Sequence, residues 1–345
     1  MLLGEKLKKI QKQFIVSLLH LFYGKIREQS GFRGDLKSIV ILAREGFGDI
    51  IVLSPLIKRL KSALPEIEIT IVCVNKLAFY LKHDKNIKAV IKAKRPTIKD
   101  KKYLYHQEFD LLFNPKDHPS VTFLHLTAKI KARQRVGIYH PQQEGFFDYM
   151  IRPDKPLLMI KRNCLLLDYL GISYAEKDLL PYMPEGPVSD EIQNFTETIK
   201  NKGVMAINLS ASNDTKEWPI EYWIEFLSIV EEPVVVIAMP KHYEQKRRIE
   251  SAYPNVITSP PTKSIFDVNH VIKHLRLLIS TDTSLIHIAS CHNTPVFALY
   301  RIENDLIEFS PLSEKQYTIL APEGNFKNIK PNTVIENFKT FATTL

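Results

Sequence analysis

Cysteine is scarce in this sequence, and no pattern of metal ligands accompanies it. The 345 residues include three cysteines, Cys73, Cys164 and Cys291, which lie far apart in apolar or helical contexts. No Cys-x-x-Cys or Cys/His ligand spacing occurs, so neither a zinc site nor a disulfide framework is expected. We predict three reduced, buried thiols, which fits a cytosolic protein.

An apolar run long enough to span a bilayer is also missing from the N-terminal region. The run 14–22 is too short, and no small-residue cleavage site follows it, so it is not a secretory signal. Apolar residues do recur at helical spacing: Leu3, Leu7, Ile10, Phe14, Leu18 and Leu21. Lys6, Lys9, Lys12 and Lys25 lie largely off this stripe. The pattern predicts a basic amphipathic helix that either lies in a membrane interface or packs on its own domain.

Two ligand-binding fingerprints are absent as well. A strand at 37–42, a turn at Gly46 and Gly48 and a helix at 50–63 predict the opening unit of a doubly wound sheet. Ile51 occupies the third glycine position of the dinucleotide fingerprint, and no acidic residue ends the next strand, so no nicotinamide cofactor is expected. The chain has no Asp-x-Asp pair, so we predict neither a divalent metal nor any other cofactor.

The composition is that of a basic globular protein. Hydrophobic residues make up 45% and charged residues 25%, so disorder is not expected. Lys and Arg number 47 against 38 Asp and Glu, which gives a net charge of +9. This balance indicates an acidic partner, whether nucleic acid, an anionic membrane or a phosphorylated substrate. No helix-turn-helix or RNA-binding signature occurs, so we predict no nucleic-acid partner.

The order of apolar segments predicts an α/β protein with two Rossmann-like domains. Predicted strands are 37–42, 69–74, 89–91, 109–113 and 133–138 in the first half, and 204–209, 234–239, 256–257, 277–280 and a strand from Pro295 in the second. The Lys-rich stretch 92–102 is predicted as a solvated loop. We predict an N-terminal extension (1–34), a first domain (35–171), a proline-rich linker (172–190), a second domain (191–330) and a C-terminal helix (331–345), with parallel sheets facing across a cleft.

Asp49 is the first candidate for catalysis. It would lie in the first turn of a helix just beyond a strand end, where side chains point into the crevice of a doubly wound sheet. The positive end of the helix dipole favours an ionised carboxylate, which suits a general base. Helix capping is the alternative role for an aspartate at this position.

A second candidate site lies in the stretch 277–300. Asp282 and Thr283 are good N-cap residues, so a helix should begin there with its free N–H groups facing beyond the end of a strand. His287 follows Thr283 by one helical turn and lies on the same face. These residues predict an anion or nucleotide site, although any strand-to-helix connection needs an N-cap.

Three blocks in order resemble glycosyltransferase family 9, the lipopolysaccharide heptosyltransferases. GFGDIIVLSPLIKRLKSALP (46–65) is similar to the opening helix of that family. NLSASNDTKEWPIEYWIEFL (208–227) is similar to its K-x-W-P segment, and STDTSLIHIASCHNTPVFALY (280–300) to its D-T-G segment with a following histidine. The resemblance covers most of the chain from about Lys37 onward.

The resemblance implies a GT-B-like fold and a glycosyltransferase activity. It implies inverting, metal-independent transfer of heptose from ADP-heptose to an anionic lipopolysaccharide inner core of the Kdo–lipid A type, with Asp49 as catalytic base. The expected donor-binding residues are Ser210, Ser212, Lys216, Asp282, Thr283, Ser284 and His287. Basic residues of the first half are the candidates for binding the acceptor: Lys58, Arg59, Lys61, Arg133 and Arg135. We expect the enzyme in the cytoplasm, against the anionic inner face of the inner membrane.

Two departures from the family pattern leave the donor open. Ser284 stands where the family usually has glycine, and Arg301 replaces the glycine after the last aromatic residue, Tyr300. One alternative is therefore a transferase or epimerase that uses another nucleotide sugar, with His118 and Glu45 as further acid and base groups. Another is a family member that binds a nucleotide sugar without transferring it.

Overall fold

A computed structural model describes residues 2–24, 31–154 and 156–345. Within these ranges, side chains are described from Gln11 onward, except that of Lys12. The chain divides into two compact units, Met1–Leu179 and Leu180–Leu345. The division falls within the proline-rich stretch 172–190. Each unit is an α/β domain built around a parallel sheet, which confirms the predicted fold class.

Unit 1 contains one parallel sheet in its described part, with strand order β3-β2-β1-β4-β5-β6. The strands are β1 (Ser38–Leu42), β2 (Glu68–Cys73), β3 (Ala89–Lys92), β4 (Phe109–Asn114), β5 (Ala132–Ile138) and β6 (Tyr149–Ile151). The helices are α1 (Leu2–Tyr23), α2 (Phe47–Ile51), α3 (Ser54–Ala63), α4 (Ala78–Leu81), α5 (Ile98–His106), α6 (Val121–Lys129) and α7 (Met159–Tyr169).

Unit 2 has a second parallel sheet, with strand order β12-β11-β10-β7-β8-β9. The strands are β7 (Met205–Asn208), β8 (Val234–Ile237), β9 (Val256–Ile257), β10 (Leu277–Thr281), β11 (Val296–Tyr300) and β12 (Gln316–Leu320). The helices are α8 (Asp190–Ile199), α9 (Ile220–Leu227), α10 (Tyr243–Ala252), α11 (Ile265–Lys273), α12 (Ser284–Cys291), α13 (Glu303–Phe309) and α14 (Pro331–Ala342).

Both sheets have the strand order of a doubly wound fold, and that order determines where a ligand can bind. The order reverses between β1 and β4 in unit 1, and between β7 and β10 in unit 2. At such a switch point the two connections leave on opposite faces of the sheet, which opens a crevice beyond the carboxyl ends of the strands. The segments that follow β1, β4, β7 and β10 are therefore the ones that can build a site.

The central strands are continuous apolar runs because helices cover both faces of each sheet. Ile39, Val40, Ile41 and Leu42 of β1 are fully buried. In unit 2, aromatic rings form one side of the core. Trp218 packs edge to face against Trp223, Trp223 against Phe226, and Phe226 against Phe338. This packing anchors α9 and α14 to the sheet and so fixes the loop that precedes α9.

Two of the three cysteines, Cys73 and Cys164, are buried as the sequence predicts, whereas Cys291 is half-buried. All three are free thiols, and Cys73 and Cys164 are fully buried. Burial raises the pKa of the Cys73 and Cys164 thiols to about 12, so neither forms a thiolate near neutral pH. The thiols therefore act as small apolar side chains and supply no nucleophile.

Several predicted boundaries were wrong. The helix expected over 50–63 consists of two helices, α2 and α3, interrupted at Val52–Leu53 just before Pro55. The stretch 92–102 is not all loop, because a capping box formed by Thr97 and Asp100 begins α5 within it. The edge strands β6 and β12 were not predicted. β6 has three residues and β12 is half-exposed, and neither shows an apolar run.

Candidate active site

Asp49 lies beyond the carboxyl end of β1, in the first turn of α2, as the sequence predicts. Its Oδ2 accepts a hydrogen bond from the backbone N–H of Gly46 at 2.9 Å. Its Oδ1 lies 3.2 Å from Nε of Arg44. A Cβ at position 46 would lie 2.8 Å from Oδ2 of Asp49, so a larger residue there would displace the carboxylate. The carboxylate is thus held in place by two donors while its side chain stays about one-fifth exposed.

A second carboxylate, Asp117, anchors the arginine that holds Asp49. It follows β4, the neighbour of β1 at the switch point, and its Oδ1 lies 3.2 Å from Arg44 Nη1. Arg162 of α7 forms an ion pair with Oδ2 of Asp117. Burial raises the pKa of Asp117, but a hydrogen bond with His118 and the two arginine charges outweigh burial and hold that pKa well below its usual range. Asp117 is therefore ionised near neutral pH.

Lys116 adds a buried cation at the same crevice. Its side chain is 3% exposed, its Nζ lies 2.6 Å from Glu45 Oε1, and the ammonium stands 4.2 Å from the ring centroid of Phe123. Burial lowers the pKa of Lys116, and the ion pair with Glu45 only partly opposes this. His118 and Glu45, the candidate acid and base groups of an epimerase, are thus engaged with Asp117 and Lys116.

In unit 2, Asn208 ties together the two loops at the switch point. It ends β7 and is 3% exposed. Its Nδ2 donates to the carbonyl of Ser210 at 2.9 Å, to Oγ of Ser280 at 3.0 Å and to Oγ1 of Thr283 at 3.3 Å. Its Oδ1 accepts from the backbone N–H of Ser210 at 3.2 Å. One amide therefore fixes both the loop after β7 and the start of α12.

Replacing Asn208 with alanine is expected to lower the free energy of unfolding of unit 2 by about 1–3 kcal/mol, because it leaves buried polar partners unsatisfied. Both tryptophans of the chain, Trp218 and Trp223, lie in unit 2, so their fluorescence during urea denaturation follows that unit. The exposed Asn213 is the control, since Asn213→Ala should change the value by less than about 0.5 kcal/mol. Equal stability of the two variants would contradict the role of Asn208.

Lys216 lies in the loop after β7 and reaches the loop after β10. Its Nζ is 2.7 Å from Asp282 Oδ2 and 3.5 Å from Asp305 Oδ2, with the side chain 27% exposed. Burial lowers the pKa of Lys216, but the two carboxylates more than compensate and the pKa is raised. The ammonium is therefore permanently charged at the carboxyl edge of the sheet.

The start of α12 has the geometry of an anion site. Thr283 is the N-cap, as predicted, and its Oγ1 accepts from the N–H of Leu285 at 3.3 Å. Ser284 is the first residue of the helix and is partly exposed. His287 is 5% exposed, and its ring lies 6.0 Å from that of Phe309. His287 thus packs inside unit 2, whereas Thr283 and Ser284 lie at the accessible helix end.

A further polar network beside Lys216 was not predicted. Ser210 Oγ lies 2.9 Å from His242 Nδ1, and His242 Nε2 lies 3.3 Å from Glu217 Oε2. The predicted donor residue Ser210 is thereby buried and occupied, because its Oγ also accepts from the N–H of Met239. Ser212, in contrast, is exposed. The position of His242 just after β8, next to β7, is the signal that could have pointed to it.

Two of the predicted acceptor residues are not near Asp49. Arg133 bonds to Asp110 at 2.9 Å, and Asp110 in turn accepts from the N–H groups of Lys37 and Ser38 at the start of β1. Arg135 donates to the carbonyls of Thr127 and Ile130 at the end of α6. Both arginines therefore lie at the amino edge of the sheet, opposite the switch-point crevice that holds Asp49.

The remaining acceptor candidates lie on α3. Arg59 donates to the carbonyl of Ser173 at 2.8 Å, and Lys61 donates to the carbonyl of Ile67 at 3.0 Å. Lys58 is exposed. In the described part of the chain, no three His, Cys, Asp or Glu side chains converge as a metal site would require.

Solved structures share this architecture at low sequence identity. The glycosyl transferase of family 9 from Veillonella parvula DSM 2008 aligns with 92% of this chain and 100% of its own, with a TM-score of 0.70 and 17% identity. The E. coli heptosyltransferase WaaC with ADP aligns with 89% of this chain and 98% of its own, with a TM-score of 0.66 and 17% identity. The chain therefore shares the GT-B-like fold of these structures, with two Rossmann-like domains.

Sequence comparison identifies the family. The profile described as glycosyltransferase family 9 (heptosyltransferase) matches residues 98–339, and that of a family of unknown function, DUF6913, matches residues 9–171. Putative lipopolysaccharide heptosyltransferase 4 of Escherichia coli K12 is 26% identical over 96% of this chain and 95% of its own. Lipopolysaccharide core heptosyltransferase OpsX of Haemophilus influenzae is 23% identical over 78% and 80%. The chain belongs to glycosyltransferase family 9.

Proposed function

We propose that this enzyme transfers a heptose from ADP-heptose to the inner core of a lipopolysaccharide, with inversion at the anomeric carbon and without a metal ion. The observation that carries the proposal is the position of Asp49 at the switch point of unit 1 and of Lys216 and the start of α12 at that of unit 2. The similar proteins support the choice of substrates, since they include lipopolysaccharide heptosyltransferases and WaaC with ADP-2-deoxy-2-fluoro heptose.

The role of Asp49 is that of a general base. It takes the proton of the acceptor hydroxyl while that oxygen attacks the anomeric carbon and the bond to the diphosphate breaks. A single displacement of this kind inverts the configuration and requires one positioned base, worth about 10²–10⁴-fold in rate. Arg44 and the N–H of Gly46 hold the carboxylate in one orientation, and Asp117 with Arg162 keeps Arg44 in place.

The leaving ADP gains negative charge, and unit 2 offers groups that stabilise it. The ammonium of Lys216 supplies a positive charge for which the diphosphate competes with Asp282 and Asp305. The first N–H groups of α12 supply donors aligned with the helix dipole. The hydroxyl of Ser284 adds a donor where relatives usually have glycine. These groups perform the neutralisation that a divalent cation performs in other transferases, which is why we propose a metal-independent reaction.

For the anionic acceptor we propose residues at the crevice of unit 1. Arg44 and Lys116 lie beside Asp49 in ion pairs, so an anionic group of the acceptor would compete with Asp49 and Glu45 for these cations. Lys58 is exposed on the neighbouring α3 and can add to the attraction. Such an acceptor is lipid-linked, so we place the reaction in the cytoplasm at the inner face of the inner membrane.

The proposal is tested by incubating the purified protein with ADP-heptose and lipopolysaccharides truncated at successive core positions. Heptose should be incorporated into one of the truncated acceptors, equally with and without EDTA, and NMR of the product should show the inverted anomer. UDP-sugars in place of ADP-heptose serve as the donor control.

Three outcomes would contradict parts of the proposal. Loss of activity in EDTA would contradict metal independence, and a retained anomer would contradict a single displacement. Turnover with a UDP-sugar alone would show that Ser284 and Arg301 have changed donor specificity.

A further inference from the structure

The first helix, α1, packs on the rest of unit 1 through one of its two apolar faces. Val16 is 6% exposed and belongs to a cluster with Leu124, Phe146 and Phe147. On the same side of α1, the ring of His20 meets that of Phe146 edge to face at 5.5 Å. Leu19 also packs against this cluster. These contacts attach α1 to α6 and to the segment before β6.

The other face of α1 is apolar and exposed. Phe14, Leu18, Leu21 and Phe22 are 63%, 38%, 76% and 73% exposed. At 100° per residue, these positions are centred on the side of the helix opposite Val16. Phe14, Leu18 and Leu21 belong to the apolar stripe found in the sequence. The other members of that stripe, Leu3, Leu7 and Ile10, lie outside the residues with described side chains. The exposure of Phe14 and Leu21 argues against the alternative that this stripe packs on its own domain.

Basic residues are concentrated in the same segment of sequence. Residues 1–28 contain Lys6, Lys8, Lys9, Lys12, Lys25 and Arg27 against two acidic residues, Glu5 and Glu28. No helix of the described residues is long and apolar enough to cross a membrane. A helix with exposed aromatic and leucine side chains and a surplus of lysines is typical of segments that lie in the interface of an anionic bilayer.

We propose that α1 is a membrane-docking helix that binds unit 1 to the surface of an anionic lipid bilayer. The side chains of Phe14, Leu18, Leu21 and Phe22 enter the boundary between headgroups and acyl chains, and the positive charge of the segment attracts the anionic bilayer. A second copy of the chain is a poorer occupant, because two segments of this charge would repel each other. The inference concerns lipid binding alone and is independent of the proposed donor, acceptor and catalytic base.

The test is flotation of the full-length protein with two kinds of vesicle, phosphatidylethanolamine with phosphatidylglycerol and phosphatidylcholine alone. Wild type should float with the anionic vesicles, and less so with phosphatidylcholine or in high salt. The variant Phe14→Ser/Leu18→Ser/Leu21→Ser/Phe22→Ser should bind anionic vesicles at least about 100-fold more weakly. Each of the four apolar side chains buries surface equal to several CH₂ groups when it enters the bilayer, and the variant loses that binding free energy.

The matched control changes four apolar residues that are also exposed but lie elsewhere. Phe79, Ile98, Leu180 and Ile229 are 52%, 88%, 49% and 42% exposed, and their change to serine should leave flotation unchanged. As a second readout, the emission of a Phe14→Trp variant should shift to the blue with anionic vesicles, against the constant signal of the buried Trp218 and Trp223.

The inference is overturned if the four-residue α1 variant floats like wild type, or if wild type binds phosphatidylcholine equally well. It is also overturned if wild type does not float and is instead a dimer that the α1 variant converts to a monomer, since the stripe would then be an interface between copies. Size-exclusion chromatography with light scattering distinguishes this case. Far-UV circular dichroism of both variants establishes that each is folded.

Discussion

Replacing Asp49 with asparagine is expected to lower kcat for heptose transfer by about 10²–10⁴-fold, with a much smaller change in the KM for either substrate. Asparagine has nearly the same shape and its Oδ1 can still accept from the N–H of Gly46, but it cannot take a proton from the acceptor hydroxyl. The measurement is initial rate against substrate concentration for both proteins.

The control for this variant exists in the same unit. Asp100 occupies in α5 the position that Asp49 occupies in α2, and its carboxylate accepts from the N–H of Thr97 at 3.0 Å. Asp100→Asn removes the same kind of helix-start interaction away from the crevice, so it should retain wild-type kcat. An Asp49→Asn enzyme with near wild-type kcat would show that Asp49 is a capping residue only, and an equal loss in both variants would point to helix stability.

Replacing Lys216 with methionine is expected to weaken stabilisation of the leaving diphosphate, with a loss of about 10²–10³-fold in kcat/KM. The physical reason is twofold. The variant lacks the cation, and it leaves the carboxylates of Asp282 and Asp305 facing the position of the diphosphate without their shared partner. Affinity for ADP, measured by titration calorimetry, should fall as well.

Lys161→Met is the matched control for Lys216→Met. Lys161 forms an ion pair of the same length, 2.7 Å to Glu176, with a comparable side-chain exposure of 37%. It lies in unit 1 on α7, so its loss should affect neither ADP affinity nor kcat/KM. If Lys216→Met bound ADP as tightly as wild type, Lys216 would be a structural link between the two loops of unit 2, and melting temperatures would then show the larger change.

These two residues differ in how the structure supports their roles. Asp49 is held by groups that keep a carboxylate in one orientation, which is what a base requires. Lys216 is held by two carboxylates, so ADP must compete with Asp282 and Asp305 for the ammonium. The backbone N–H groups at the start of α12 have no such competition from acidic side chains within the helix, whose first turn contains none. We therefore expect the helix end to retain part of the binding when Lys216 is lost.

Much of this protein is determined by local sequence. Alternating strands and helices, the glycines before Asp49 and the N-cap at Thr283 are all short-range signals, since each depends on residues within one or two turns of the chain. They were sufficient to predict two α/β domains, the position of Asp49 in a first helical turn and the helix start at Thr283. The edge strands β6 and β12 escaped prediction because a strand paired on one side shows a weak apolar pattern.

The tertiary structure alone decided which polar side chains meet. Arg133 and Arg135 resemble other basic residues in sequence, but strand pairing places them at the amino edge, where Asp110 and the end of α6 bind them. Asp117 joins Arg44 because β4 lies beside β1, and His242 joins Ser210 because β8 lies beside β7. Likewise, the sequence predicted an amphipathic α1 and left open which surface its stripe meets. Val16 packs on the rest of unit 1, and this leaves the opposite side of α1 exposed. Such a contact between distant segments depends on how the sheets and helices assemble, so it has no local signal in the chain.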